Sequence, residues 1–322
     1  MKQLFAWLYY TIKIIFLYNN TMIDLNKIYF SDMMDVCKQM EKESVDIVIA
    51  DPPYNIGKDF GNDTDNMEMP AYIDWCKKWV DTCIDILKPN GTMFIYGFSE
   101  NLAYIFVNIP INKRWLVWHY TNKNSARIGF WQRSHESIIA CWKNKPIFNA
   151  DWVREPYTET FLKNAAGKTR KKTKGRFGNT ETTYNANDNG ALPRDVIKVP
   201  SLSGGSGATE RWFMCKTCGN RVYHPTELEN HVDHETIKHP TQKPIEITER
   251  LLKSAMPPKD GLVFVPFAGC GTECVVAKKL KMNFIGCEIN QDYIIIANAR
   301  LNENKYFEEQ TDKNISEGNL FE

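Results

Sequence analysis

Val45-Asp46-Ile47-Val48-Ile49-Ala50-Asp51-Pro52-Pro53-Tyr54 is the stretch that decides the fold class. The first six residues are apolar but for Asp46 and read as a buried strand of an open α/β sheet. Two prolines follow. They donate no backbone N–H and fix φ, so the chain leaves the sheet as a stiff, pre-shaped loop. That loop presents a carboxylate, carbonyls and an aromatic face at the strand's C-terminal edge, where such sheets bind their ligands. The set suits a flat base with an exocyclic amine: acceptors for the N–H groups and a ring to stack on. An ordinary strand-ending turn accounts for a bare Asp-Pro-Pro but gives no reason for the tyrosine.

A second site reads the same way. Leu262 to Pro266 is a short apolar strand, Phe267-Ala268-Gly269-Cys270-Gly271-Thr272 a glycine turn, and Glu273 to Leu280 a helical stretch. Strand, glycine turn and helix bring backbone close to a nucleotide-like ligand. Asn283 to Glu288 is a further strand ending in an acid, placed to accept hydrogen bonds from ribose hydroxyls. Cys274 stands where a dinucleotide fingerprint has its third glycine, so no close approach to a pyrophosphate is provided for. A nucleoside ligand without phosphates fits better than NAD. A third segment, His239-Pro240-Thr241-Gln242-Lys243-Pro244, lies shortly before this strand.

Together the three segments resemble the amino-methyltransferases of DNA that use S-adenosylmethionine. Their order, catalytic motif before cofactor motif, resembles the β group of that family. The resemblance spans roughly residues 23 to 304, with a poorly matched middle. It implies a Rossmann-like α/β methyltransferase sheet with helices on both faces. It also implies a site-specific enzyme that methylates the exocyclic N6 of adenine in double-stranded DNA. Adenine follows from the family habit that an acid opening the motif goes mostly with adenine N6 and a serine with cytosine N4. Contact chemistry alone does not separate the bases, because cytosine N4 offers the same two hydrogens.

In these terms Asp51 and the Pro52 carbonyl accept from the amine, Pro53 completes the stiff loop, and Tyr54 stacks on a flipped base. Phe267, Gly269 and Gly271 shape the cofactor loop, and Glu288 takes the ribose hydroxyls. Thr241, Lys243 and Thr272 are candidates for the methionine end, with Lys243 pairing with its carboxylate. Asp32 follows a short strand, Lys27 to Phe30, and either lies near the cofactor's adenine or caps a helix from Asp35 to Lys42. A methyltransferase acting on RNA and an inactive DNA-binding relative are the competing readings. The intact Asp51, Tyr54, Gly269 and Gly271 speak against the second. A restriction endonuclease and a homodimer are partners compatible with the family.

The 322 residues, 43% hydrophobic, suffice for one large α/β domain with insertions. A formal charge of +1 excludes a globally basic nucleic-acid binder, so DNA contacts must come from local patches. Nine cysteines are scattered, and Cys37, Cys83, Cys141, Cys270 and Cys287 sit in apolar contexts. They read as small buried hydrophobes in a reducing compartment, the cytoplasm. Residues 1–21 are apolar and aromatic, but Lys13 interrupts them and no small-residue cleavage site follows. They are also too short and too interrupted for a membrane span. They read as an extension before a natural start at Met22, with a membrane-surface helix as the alternative.

The remaining organisation follows in chain order. Residues 22–120 form the catalytic half, including a helix from Met69 to Pro89 whose Trp75 and Trp79 read as core. Pro89-Asn90-Gly91 reads as a turn into strand Thr92 to Phe98, and Trp115 to Thr121 and Ser137 to Lys143 as further strands. Residues 121–211 are assigned to target recognition. A polar loop there carries Lys123, Arg127, Phe130, Trp131 and Arg133, and a basic run holds Lys163, Lys168, Arg170, Lys171, Lys172, Lys174 and Arg176. Such residues suit phosphate contacts and base stacking, against the plainer reading of a solvated loop with its aromatics tucked under. Residues 212–238 contain Cys215-Lys216-Thr217-Cys218-Gly219, and four of the six histidines fall between residues 224 and 239. Cys215 and Cys218 with His231 and His234 make a candidate structural zinc site, against two free cysteines in a surface loop. Residues 239–304 form the cofactor half and 305–322 a polar tail.

Overall fold

The computed structural model describes residues 23–60, 65–120, 122, 129–170, 182–202, 210–222 and 233–303. The N-terminal extension, Lys123, Arg127, Lys171, Lys172, Lys174, Arg176, His231 and the polar tail lie outside the described residues. No helix among the described residues is long and apolar enough to cross a membrane.

The chain opens with β1 (Lys27–Phe30), α1 (Met33–Cys37), β2 (Val45–Ala50), α2 (Met69–Ile86), β3 (Leu87–Gly97), α3 (Ser99–Asn108), β4 (Asn112–His119) and β5 (His135–Trp142). A 3-10 turn (Ala150–Val153), α4 (Glu159–Asn164), β6 (Thr169–Arg170), β7 (Thr182–Thr183) and β8 (Val196–Lys198) follow. Then come β9 (Phe213–Cys215), β10 (Arg221–Val222), β11 (Thr236–Lys238), α5 (Ile245–Ala255), β12 (Leu262–Val265), α6 (Thr272–Lys279), β13 (Asn283–Glu288) and α7 (Gln291–Leu301).

Eight strands form one sheet in the order β1-β13-β12-β2-β3-β5-β4-β8. β1, β13, β12, β2 and β3 run parallel, and β5 is antiparallel to both β3 and β4. All six residues of β2 are buried, as the unbroken apolar run requires of a strand covered on both faces. On one face, Ile247, Leu251 and Val275 of α5 and α6 pack with Ile47 and Ile49. On the other, Trp79, Val80 and Leu102 of α2 and α3 pack with Val48 and Met93. Helices therefore cover both faces, as the resemblance implies.

β2 and β12 are neighbours, with Val263 opposite Ile47 and Phe264 opposite Val48. From β2 the chain moves toward β3, and from β12 it moves the opposite way, toward β13. This is a topological switch point, and it opens a crevice at the strands' C-terminal ends. The two motif loops are the loops that leave these two strands.

Four expectations are corrected. The helix after Asp32 covers Met33–Cys37 rather than Asp35 to Lys42. Pro89-Asn90-Gly91 is a bulge inside β3: Val45 pairs with Leu87 and Ile47 with Thr92, so two steps on β2 match five on β3. A glycine suits the bulge, because a Cβ on Gly91 would lie 2.7 Å from the Asp46 carbonyl oxygen. Asp46, the one charge in the β2 run, accepts from Lys88 Nζ (2.8 Å) and the Leu262 N–H (2.9 Å), joining three strands. Residues 121–211 are not simply an insertion, since β5 and β8 belong to the main sheet and β8 pairs with β4 at its edge. Trp79 is core, 1% exposed, but Trp75 is only partly buried and stands against the cofactor loop.

Candidate active site

Asp51, Pro52, Pro53 and Tyr54 leave β2 with the geometry their prolines impose, and other residues fix the loop from outside. The Pro53 carbonyl accepts from the Tyr72 hydroxyl of α2 at 2.9 Å, and the Tyr54 carbonyl from Asn101 Nδ2 of α3 at 2.5 Å. Downstream, buried Asp65 gathers the N–H groups of Asn55 (2.5 Å), Ile56 (3.2 Å) and Lys58 (2.7 Å). The loop is thus pre-organised on both sides.

Its carboxylate sits in a charge cluster. Lys243, only 4% exposed, places Nζ 2.7 Å from Asp51 Oδ2 and 3.6 Å from Glu136 Oε2. Burial alone would lower this ammonium's pKa, but Asp51 and Glu136 outweigh it and push it above the ordinary lysine value. The Tyr54 hydroxyl lies 2.7 Å from Asp51 Oδ1 and 3.0 Å from Glu136 Oε2, and its one proton serves either carboxylate. Burial, then Asp51 and Glu136, hold that phenol far above its usual range. The two carboxylates and one ammonium leave a net negative charge. A carboxylate has roughly four lone-pair sites, so Asp51 keeps acceptor capacity for a further donor.

The cofactor-loop residues are set by backbone rather than charge. Gly269 and Gly271 have φ of +49° and +76°, the left-handed region that disfavours a Cβ. A Cβ on Gly269 would lie 2.7 Å from His239 Nε2, and one on Gly271 2.8 Å from the Ala297 Cβ. Glu288, at the end of β13, accepts from the Gly269 N–H (2.7 Å) through one oxygen and from the Ile289 and Asn290 N–H groups (2.9 and 2.8 Å) through the other. Phe267 packs edge-on against Trp79 and tilted against Trp75.

Both loops open into one cavity of about 280 Å³. Asp32, Trp75, Phe267, Gly269 and Glu288 line it together with Phe98, Trp118, Tyr120, Glu136, Asp51, Tyr54 and Lys243. Asp32 accepts from the Met34 N–H at 2.7 Å as an N-cap, and it also lines the cavity.

The three candidates for the methionine end, Thr241, Lys243 and Thr272, all line the cavity. Lys243 also pairs with the Asp51 carboxylate. Thr272 is buried, donating to the Lys243 carbonyl (3.3 Å) and accepting from Arg300 (2.9 Å), so it holds the two segments together.

Sequence reading missed Glu136, Asp65 and the aromatic wall. Trp118 and Tyr120 show the spacing of two that puts side chains on one face of a strand, a weak signal. Glu136 carries none beyond its place at the start of a strand. Buried Glu273 also lines the cavity, and its Oε1 has no hydrogen-bond partner among the described residues. Burial, then Asp51, raise its carboxyl to about 7.

Phe130 and Trp131 are 79% and 85% exposed, so the aromatics of that polar loop are not tucked under. Arg133 pairs with Glu100 at 2.6 Å and lies 4.1 Å over the ring of Phe98.

A family model described as DNA methylase matches residues 45–299. Type II methyltransferase M1.MboII of Moraxella bovis is 30% identical over 295 residues, which cover 88% of this chain and 98% of that protein. DNA adenine methyltransferase YhdJ of Escherichia coli K12 is 28% identical over 280 residues, 85% of this chain and 82% of that one. Among solved structures, the PvuII DNA methyltransferase, described as cytosine-N4-specific, has a TM-score of 0.57 at 15% identity, covering 86% of each chain.

Proposed function

We infer the reaction from one premise: this chain belongs to the DNA methylase family. It is an amino-methyltransferase of DNA, of the N6 or N4 type. Within that class we propose adenine N6 as the acceptor, S-adenosylmethionine as the methyl donor and double-stranded DNA as the substrate. The observation that carries this reading is the single cavity joining the glycine loop to the Asp51–Tyr54 loop.

The residues fit the donor. Glu288 stands fixed at the end of β13 for ribose hydroxyls, Phe267 and Trp75 offer apolar walls, and the carboxyl of Glu273 suits a cationic group. When bound, S-adenosylmethionine supplies an electrophilic methyl group on sulfur. The chain does the rest. An adenine flipped from the duplex enters among Tyr54, Phe98, Trp118 and Tyr120. Asp51 accepts one N6 hydrogen and the Pro52 carbonyl the other. Two acceptors draw the amine toward tetrahedral geometry and localise a lone pair that the ring otherwise delocalises. Catalysis is then mainly positioning and preorganised electrostatics. Asp51 takes the released proton, and Lys243 and Glu136 keep the carboxylate in place. Zinc, if held by the cysteine-histidine module, is structural and has no part in the transfer.

An acid opening the catalytic motif supports adenine over cytosine, as does the name of the YhdJ relative. Exposed Phe130 and Trp131, with Lys123, Arg127 and the basic run, are proposed as the DNA-facing surface. The cytoplasm, a restriction endonuclease counterpart and a homodimer complete the proposal.

The test is methyl transfer from labelled S-adenosylmethionine to unmethylated genomic DNA, followed by mass spectrometry of the digested nucleosides. N6-methyladenine is expected. N4-methylcytosine would overturn the choice of base, and transfer to RNA but not DNA would overturn the choice of substrate.

A further inference from the structure

The small sheet β10-β9-β11 carries a cluster that methyl transfer does not use. Cys215 ends β9. A tight turn closed by the Gly219 N–H on the Cys215 carbonyl (2.8 Å), with Gly219 at φ +73°, brings Cys218 back beside it. His234 enters just before β11, its Nδ1 3.2 Å from Cys215 Sγ. The three donor atoms all lie within 4.8 Å of one another. Tetrahedral coordination at ~2.3 Å for thiolate and ~2.0 Å for imidazole separates donors by roughly 3.5–3.8 Å, so little movement is needed. The Cys218 N–H points to Cys215 Sγ at 3.4 Å, a contact that favours a thiolate. Neither cysteine is in a disulfide. Two thiolates and an imidazole, without a carboxylate, select zinc over magnesium or calcium.

We propose that Cys215, Cys218 and His234 bind one structural zinc ion that holds the His239–Lys243 segment against the cofactor loop. The ion joins the end of β9 to the start of β11. The sheet is tied to α7 by Lys216 to Asp292 (3.0 Å) and by Arg221 to Glu303, just past the helix (2.7 Å). Met214, Trp212 and Ile237 pack with Ile296 and with Cys270 of the cofactor loop. The Trp212 N–H donates to Gln242 Oε1 at 3.1 Å. β11 ends at Lys238, and the next residue is His239, the neighbour of Gly269. Metal loss therefore loosens the His239 end of the segment against Gly269, while Lys243 at its other end stays anchored by its own ion pair with Asp51 (2.7 Å).

The full-length protein is assayed for zinc after dialysis, then loaded with cobalt. About one zinc per chain and thiolate-to-cobalt charge-transfer absorption are expected. Both are lost in Cys218→Ser and in His234→Ala, whose changed side chains are exposed; thermal melting shows that the variants fold. Removing the metal is expected to raise the cofactor KM roughly tenfold with kcat at saturating cofactor nearly unchanged. A metal-free wild type, or a recovered Cys215–Cys218 disulfide, would overturn the site. Full zinc content with an unmoved KM on metal removal would overturn the coupling.

Discussion

The loop after β2 and the loop after β12 leave neighbouring strands and face one cavity, yet they are built differently. The first acts through side chains: Asp51 and Tyr54 are held by Lys243 and Glu136, groups from two other parts of the chain. The second acts through backbone: two glycines at positive φ, with a glutamate bonded to three N–H groups. A side-chain site depends on its charged groups, so truncating one of them removes a contact that nothing else supplies. A backbone site is set by shape, so a single added carbon weakens what it holds.

The largest effect is expected at Asp51. Asp51→Ala removes an acceptor and the proton's destination, and single-turnover methyl transfer should fall by about 10³-fold or more. Next comes Lys243. Lys243→Met leaves two carboxylates without their cation in a half-buried site. It should cost about 3 kcal/mol in stability by denaturant titration, together with a clear loss of rate. A milder result, within about 0.5 kcal/mol, would mean that the cluster is as wet as a surface ion pair.

The contrast between the loops also explains what could be read in advance. Strand β2, strand β12 and both motif loops were legible because their signals are local: an apolar run, two prolines, a glycine turn. The pairing of Lys243 was not, because its partner Asp51 lies 192 positions away in sequence and nothing near Lys243 announces it. Glu136 was invisible for the same reason, as strand periodicity says which face a residue takes and not which loop awaits it. The turn reading of Pro89-Asn90-Gly91 had the right residues in the wrong setting, since bulges and turns draw on the same ones. Trp75 was misread because a helix pattern marks a buried face without saying that part of it borders a cavity.

Glu273, in the first turn of α6, probes the backbone side. Burial raises its carboxyl to about 7 from an ordinary 4.5, so the folded state prefers the proton. Stability from this group is fully present below the unfolded value and lost as pH rises through the folded one. The Glu273→Gln variant lacks that titration. It should match the wild type near pH 4 and exceed it by up to about 3 kcal/mol at pH 8. A difference that does not change with pH would show that Glu273 titrates normally. The smallest effect is expected at Gly269. Gly269→Ala forces a Cβ into a left-handed residue facing His239, for about 2 kcal/mol, felt mainly as weaker cofactor binding.

The division between the loops is tested most directly by calorimetric cofactor Kd values for Asp51→Ala and Gly269→Ala, measured side by side with the wild type. Asp51→Ala should bind S-adenosylmethionine within about twofold of the wild type, and Gly269→Ala roughly tenfold or more weakly. Asp51→Ala weakened as much as Gly269→Ala would contradict the account, because the catalytic loop would then be part of the cofactor site.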